Sequence, residues 1–487
     1  MRGGLSGLRT HGIAGRQSTA KQSPPRRWAA ITMAVAVVGS ACGTRVPYDQ
    51  LLAASQVRTQ PAGSTAGAGQ PTQSAPTAPA AAGTPSAGVT GGGNATGGAN
   101  ATGAGSATDG DIATGGTQGP ACTGHEAPLI LGSVGQQSGL LGFITAALPR
   151  ATQAWVAMIN AKGGLDCHPV KYIVADDGGD PARNQALVEQ LVQQDGVVAF
   201  VNFVAPLSSS GSVSYINAHR IPVIGGTGIE QGFYQSPYYF PQESFEEDIF
   251  RAALSGVANE ARARGLVRLG VIGCIEISFC KEVRTIALSV APQYGLQVVY
   301  SGSGSLVQPD YSSLCQDAQA KNAQLLFVLL DPNGIERLAQ NCNSVGYHPV
   351  FATGSIVATN PLATDPLLDG MIVGEAVAPW MATSIPGVAE FVQALQQFAP
   401  GFAPSGPSIA GWASAKMLEL AGQHLSNPPT SQDILNGLWS FHSQDFGGLT
   451  MPMTFTKDQP APKAICFWMV TAAKGKWTAP NTNRTCK

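Results

Sequence analysis

The stretch Val174-Ala175-Asp176-Asp177-Gly178-Gly179-Asp180-Pro181-Ala182 decides the fold, because it ends a strand, turns, and opens a helix in one short run. Val170 to Ala175 is an apolar strand. Asp180 accepts the free N–H groups of a first helical turn, and Pro181 at the next position has no N–H to lose, so a helix starts there. Upstream, Ile159-Asn160-Ala161-Lys162-Gly163-Gly164-Leu165 stops a helix that runs from Thr152 to Ala161, since glycine takes the left-handed conformation that other residues resist. Before that helix, Ile130-Leu131-Gly132-Ser133-Val134 reads as a buried strand. Downstream follow a strand from Val197 to Val204, a short helix from Gly211 to Ala218, and a strand from Ile221 to Ile224. The run from Leu129 to Gly228 therefore alternates strand and helix, which predicts a parallel α/β sheet.

A second series begins after Tyr239-Phe240-Pro241. Its strands are Leu269 to Ile275, Leu296 to Tyr300, Leu325 to Leu330 and Val350 to Ala352, with helical segments around Ala287 to Ala291, Gln316 to Ala323 and Gly334 to Asn341. Two such series joined by a proline-containing connector predict two lobes.

The order and spacing of Ile159 to Leu165, Val174 to Ala182, Leu187 to Gln193 and Ile221-Pro222-Val223-Ile224 resemble the leucine/isoleucine/valine-type solute-binding proteins of ABC importers, from about Ala127 to the C-terminus. The resemblance implies an α/β, two-lobed type I periplasmic-binding fold, each lobe a parallel sheet flanked by helices, with three hinge crossovers. The candidate crossovers are Phe240 to Glu246, Met371 to Ala378 and Gly447 to Phe455. Residues 1–41 are then a signal peptide, 42–120 a tether, 121–244 the first part of lobe 1, 245–372 lobe 2, 373–446 a return to lobe 1, and 447–487 the third crossover and a C-terminal hairpin. The expected partners are a small-molecule ligand and ABC permease subunits, the expected state is a monomer, and no cofactor is implied. A ligand sensor signalling to a membrane partner would use the same cleft.

The leader carries Arg2, Arg9, Arg16, Lys21, Arg26 and Arg27 with no acid, then an apolar run from Trp28 to Val38. That run is shorter than the roughly 20 residues a membrane span needs, so it reads as an export signal. Gly39-Ser40-Ala41-Cys42 resembles a lipobox, which makes Cys42 a lipidation site and the outer face of the cell membrane the expected location. Gly39 stands where that motif usually has leucine, and Gly39 with Ala41 also suits ordinary signal peptidase, which would release the chain. From Thr59 to Thr108 no residue is charged, and Gly, Ala, Thr, Ser, Pro, Gln and Asn fill nearly all of the segment. Such a composition buries too little apolar area to offset the ordering cost, which predicts a flexible tether spanning about 40 Å.

The whole chain has 28 basic and 30 acidic residues; without the six leader cations the balance is 22 to 30, a net of about −8. No basic patch for nucleic acid is expected. Of nine cysteines, eight remain after Cys42. An even number in an exported chain predicts disulfides, and chain topology favours Cys122–Cys167, Cys274–Cys280, Cys315–Cys342 and Cys466–Cys486, the last pair flanking a hairpin that turns at Lys474-Gly475-Lys476. A metal site is disfavoured, because no spacing is CxxC and no two histidines stand at helical ligand spacing. The acids from Asp176 to Asp180 lack the ligand count of a calcium loop. Enzyme motifs are also missing: there is no Gly-x-Ser-x-Gly elbow, HExxH or phosphate-binding Gly-x-x-x-x-Gly-Lys.

Ligands of parallel sheets bind at the carboxyl ends of strands, beside helix N-termini. That rule selects Ser208, Ser209 and Ser210, and then Gly226, Thr227 and Gly228, the two loops which in the resembled family hold a ligand's carboxylate or equivalent polar group. Ser138 matches a family Ser-Gly element after the first strand. In the second lobe Glu276, Phe279, Asp331 and Ser355 follow strand ends. Phe279 offers an apolar face where the family often has tyrosine, and Thr353-Gly354-Ser355 lacks the acid that branched-chain amino-acid binders place there. A small polar solute, an amino acid or related amide or carboxylate, is the expected ligand.

Overall fold

The computed structural model describes residues 122, 126–139, 141–230, 232–243, 247–462 and 465–486; the leader, Cys42 and the tether lie outside them. Among the described residues, no helix is long and apolar enough to cross a membrane.

The first lobe is built on a parallel sheet of five strands in the order β2-β1-β3-β4-β5. β1 (Leu129–Gly135) pairs along its whole length with β2 (Val170–Asp176). Between them, α1 (Ala147–Ala161) begins five residues earlier than its apolar period suggests, because Pro149 falls in the first turn, where its missing N–H would be unpaired in any case. α2 (Pro181–Gln193) starts at the Asp180 cap, whose carboxylate accepts the Arg183 N–H. β3 (Ala199–Phe203), α3 (Val213–His219), β4 (Val223–Gly226) and β5 (Tyr239–Phe240) complete the unit.

The chain then enters α4 (Glu247–Ala263) and a second sheet of eight strands, ordered β12-β11-β10-β9-β8-β6-β7 with β13 paired to β11. Its parallel part comprises β6 (Arg268–Cys274), β7 (Gln297–Gly304), β8 (Leu325–Leu329), β9 (Val350–Gly354) and β10 (Ile372–Glu375), interleaved with α5 (Val283–Val290), α6 (Ser312–Ala320) and α7 (Pro332–Ser344). Asp331 caps α7 as Asp180 caps α2. β10 occupies the middle of the segment expected to form the second crossover, so the chain leaves this sheet only after Glu375.

It returns to the first lobe as α8 (Pro386–Phe398), α9 (Gly406–Ala421) and α10 (Ser431–Trp439), with α8 and α9 packed on α1. The last passage brings in β11 (Cys466–Ala473), antiparallel to β10, with β12 (Lys476–Thr478) and β13 (Thr485–Cys486) antiparallel to β11. Lys474 and Gly475 both have positive φ, 52° and 75°, which suits the two-residue turn joining β11 to β12. The second and third passages touch where the Ala378 N–H donates to the Leu449 carbonyl at 2.8 Å. The eight described cysteines are paired as Cys122–Cys167, Cys274–Cys280, Cys315–Cys342 and Cys466–Cys486.

Asn202 locks the first lobe from inside. It is fully buried in β3 at φ 55°, and its side-chain amide donates to the Thr152 hydroxyl at 2.5 Å and the Gly411 carbonyl at 3.1 Å, tying the sheet to α1 and α9. Asn202→Ala removes both bonds and forces a Cβ-bearing residue without a local polar partner into left-handed backbone. A loss of about 2–3 kcal/mol is expected, with Asn202→Gly milder by roughly 1 kcal/mol because glycine relieves the backbone part. Urea denaturation of the three proteins checks the order.

Candidate functional site

A cavity of about 110 Å³ opens between the lobes at the carboxyl ends of both sheets. The first lobe contributes Leu141, Ile144, Thr145, Pro206, Thr227 and Ile229. The second contributes mainly Phe250, Ile277, Leu306, Leu329, Ile356 and Val357, together with the Cys274–Cys280 bridge, Asp331, Thr353 and Ser355. Its walls are overwhelmingly apolar.

Of the residues selected from sequence, Thr227, Asp331 and Ser355 line this cavity. Ser138, Ser208, Ser209, Ser210, Gly226 and Gly228 are not in its wall. Ser138 donates its hydroxyl to Asp176 at 2.5 Å, and Asp176 also accepts the Gln137 and Gly178 N–H groups at 2.9 and 3.0 Å. Burial opposes the charge of Asp176, but these bonds outweigh it and hold the carboxyl below its usual range. The Ser208 hydroxyl donates to buried Asp177 at 2.7 Å, and Asp177 accepts the Asn184 amide at the same distance. The two acids thus brace the loops after β1 and β3 from behind the cavity. Ser209 is buried in the turn after β3, Ser210 is exposed, and Gly226 and Gly228 are buried around Thr227. The Phe279 side chain lies outside the described residues.

The loop after β6 is held by two devices. Cys274 and Cys280, six positions apart, close it, and the Glu276 carboxylate accepts the Ser305 hydroxyl at 2.5 Å and the Leu306 N–H at 2.9 Å. Burial opposes ionisation of Glu276, but the Ser305 and Leu306 bonds prevail and keep its carboxyl below the ordinary range. Glu276 is therefore engaged in fixing Leu306 and its neighbour Ile277 as a wall of the cavity. Asp331 is the one carboxyl among the described lining residues. Burial pushes it above the usual range while the nearby Arg337 guanidinium pulls it back, and its Oδ1 accepts the Gly334 N–H at 3.2 Å. Arg337 in turn donates to the Leu306 carbonyl at 2.6 Å. The described polar lining is thus Asp331, with the Arg337 cation near it, and the hydroxyl residues Thr145, Thr227, Thr353 and Ser355.

The wall residues Leu141, Ile144, Thr145, Ile277, Leu306 and Ile356 are not among the sequence-derived candidates. Only the position of Ile277 inside a short Cys-to-Cys loop could have flagged it. Among the described residues, no group of three His, Cys, Asp or Glu side chains is placed to hold a metal ion.

Residues 128–476 match the family model described as periplasmic binding protein. A search of curated protein sequences finds no significant match. Similar solved structures include a fatty acid ABC transporter substrate-binding protein from Thermomonospora curvata, 18% identical with a TM-score of 0.62 over 73% of this chain and 92% of that one. The branched-chain amino acid transporter substrate-binding protein LivJ from Streptococcus pneumoniae, in complex with isoleucine, is 16% identical with a TM-score of 0.62 over 74% of this chain and all (100%) of that one. A solute-binding protein of an ABC transporter from R. palustris, in complex with benzoate, is 13% identical with a TM-score of 0.61, covering 74% of this chain and 97% of its own. At these identities the likeness is one of fold.

Proposed function

Because the chain belongs to the periplasmic binding protein family, we propose that it is the solute-binding component of an ABC importer, closing its two lobes on a small organic acid or amide with an apolar body. The observation that carries this reading is the cavity lining: a dozen aliphatic or aromatic walls and a disulfide surround a single described carboxyl, Asp331, and a few hydroxyl residues. A solute polar throughout would leave its groups unpaired against those walls, at a cost of several kcal/mol. The small polar ligand expected from sequence is therefore narrowed to one whose polar group is terminal, such as an apolar amino acid, a short-chain acid or an aromatic acid. Fatty acid, isoleucine and benzoate, named for the three similar structures, share that form.

Closure is a hinge motion at the crossovers, driven by contacts that a solute makes to both lobes only when they meet. Export by the leader, lipidation at Cys42 and hand-over to a permease complete the proposal.

A thermal-shift screen of leucine, isoleucine, hexanoate, octanoate, benzoate, phenylacetate and glucose tests it. A true solute at 100 times its dissociation constant is expected to stabilise the chain by about 2.7 kcal/mol. Stabilisation by glucose alone would refute the ligand class.

A further inference from the structure

Two glutamates are buried where the chain passes between its lobes, and a third is buried in the first lobe beside the cavity wall. Glu230 follows the β4 loop, Glu243 lies in the first passage just after β5, and Glu375 is the last residue of β10 before the second passage; their exposures are 1%, 1% and 0%. One Glu230 oxygen accepts the Ala205 N–H at 3.0 Å and the Thr227 hydroxyl, and one Glu243 oxygen accepts the Gln242 amide at 3.2 Å. The other oxygen of each, and both oxygens of Glu375, have no hydrogen-bond partner among the described residues.

The elements packed around them supply no compensating charge among the described side chains. On α4, Arg251 donates to Ser289; the side chains of Glu247 and Asp248 there, and Glu246 before it, are outside the described set. On α9, Lys416 pairs with Glu390 at 3.1 Å and Glu419 at 2.8 Å. Beside β11, Arg484 lies 3.6 Å from Asp445 and over the Trp468 ring. β5 brings Tyr239, whose buried hydroxyl has no hydrogen-bond partner among the described residues. An ionised carboxylate here meets an uncompensated burial cost.

The row of carboxyls touches the moving parts. Glu230 holds Ala205 and Thr227, the first adjoining and the second lining the cavity. Gln242, next to Glu243, exchanges two hydrogen bonds with the Gly226 backbone at 3.1 and 2.8 Å. Glu375 leads into Ala378, which is bonded to the third passage at Leu449. Beside it, Gly374 presses against the Ala253 backbone of α4 so closely that a Cβ has no room.

We propose that Glu230, Glu243 and Glu375 form a proton-operated latch at the lobe junction: as neutral acids they pack the crossovers and cavity wall together, and loss of a proton drives the junction open. The latch rests on the proposed solute cleft only for its effect on solute affinity. Burial, and then the charge of Glu230, pushes Glu243 up to about 8; burial, and then Glu243, raises Glu375; burial raises Glu230. An unfolded chain ionises these groups near 4.5. Between that value and about 8 the folded chain keeps a proton that the unfolded chain has lost, so stability falls as pH rises through this window and levels off above it. Each such proton changes the unfolding constant about tenfold per pH unit.

The test is urea denaturation of the disulfide-intact mature chain from pH 5 to 9, with small-angle scattering at pH 6 and 9 and no solute present. The unfolding constant of wild type is expected to rise with pH about one proton more steeply than that of Glu243→Gln, and its radius of gyration to be larger at pH 9 than at pH 6. Both pH effects shrink in Glu243→Gln and in Glu375→Gln, the second variant serving if the first does not fold. Equal slopes in wild type and variants, or scattering unchanged by pH in wild type, overturn the latch. Since neither measurement uses a solute, a failed ligand screen leaves both outcomes readable.

Discussion

Ile277→Asp is expected to weaken solute binding a hundredfold or more while leaving the chain folded. Ile277 sits in the loop closed by Cys274 and Cys280 and faces the cavity together with Leu306 and Leu329. A carboxylate there loses water on closure and gains no cation among the described lining residues, a penalty of about 3 kcal/mol or more, and every 1.4 kcal/mol is tenfold in affinity. Ile277 is only partly buried in the chain, so most of that cost falls on the closed, ligand-bound state. Titration calorimetry with the strongest solute of the screen measures the loss, and Ile277→Leu should remain within a few-fold of wild type. Undiminished affinity in Ile277→Asp would place the site elsewhere.

The largest stability effect is expected at Trp155. Its side chain is fully buried on α1, and its Nε1–H donates to Glu419 of α9 at 2.7 Å, so one residue joins the first βα unit to the returning segment. Trp155→Ala leaves a cavity in a packed interior and removes one of the two described hydrogen-bond partners of the Glu419 carboxylate, leaving Lys416 and solvent. A loss of about 4–5 kcal/mol is expected in urea denaturation, and Trp155→Phe, which keeps most of the volume but not the bond, should lose about half as much. A loss below about 1 kcal/mol would mean that α9 does not depend on this contact.

The α/β alternation was legible in sequence because its signals are local. Asp180-Pro181 marks a helix start by chemistry contained in two residues. The cavity had no such signal: Leu141, Ile144, Leu306 and Ile356 look in one dimension like any core residue, and only the approach of two sheets turns them into a shared wall. Hydroxyls are harder still, since the partner of Ser208 is Asp177, set by how the loops after β2 and β3 meet across the end of β1. The buried acids are the sharpest case. Glu243 stands in a polar run, Gln242-Glu243-Ser244, that reads as surface, whereas Glu375 between Ile372-Val373-Gly374 and Ala376-Val377-Ala378 is a lone charge in an apolar segment and the one member of the row with a visible trace.

The Cys122–Cys167 bridge also decides where mechanical load enters the protein. Cys122 precedes β1, yet its sulfur is joined to the tight turn at Leu165 to His168, between the end of α1 and the start of β2. A tug on the chain ahead of Cys122 passes through the sulfur atoms into that turn before it reaches β1. β1, gripped on both sides by β2 and β3, is spared the peeling force that would unzip the first sheet. The bridge acts as a strain relief, as a knot does where a cord enters a plug.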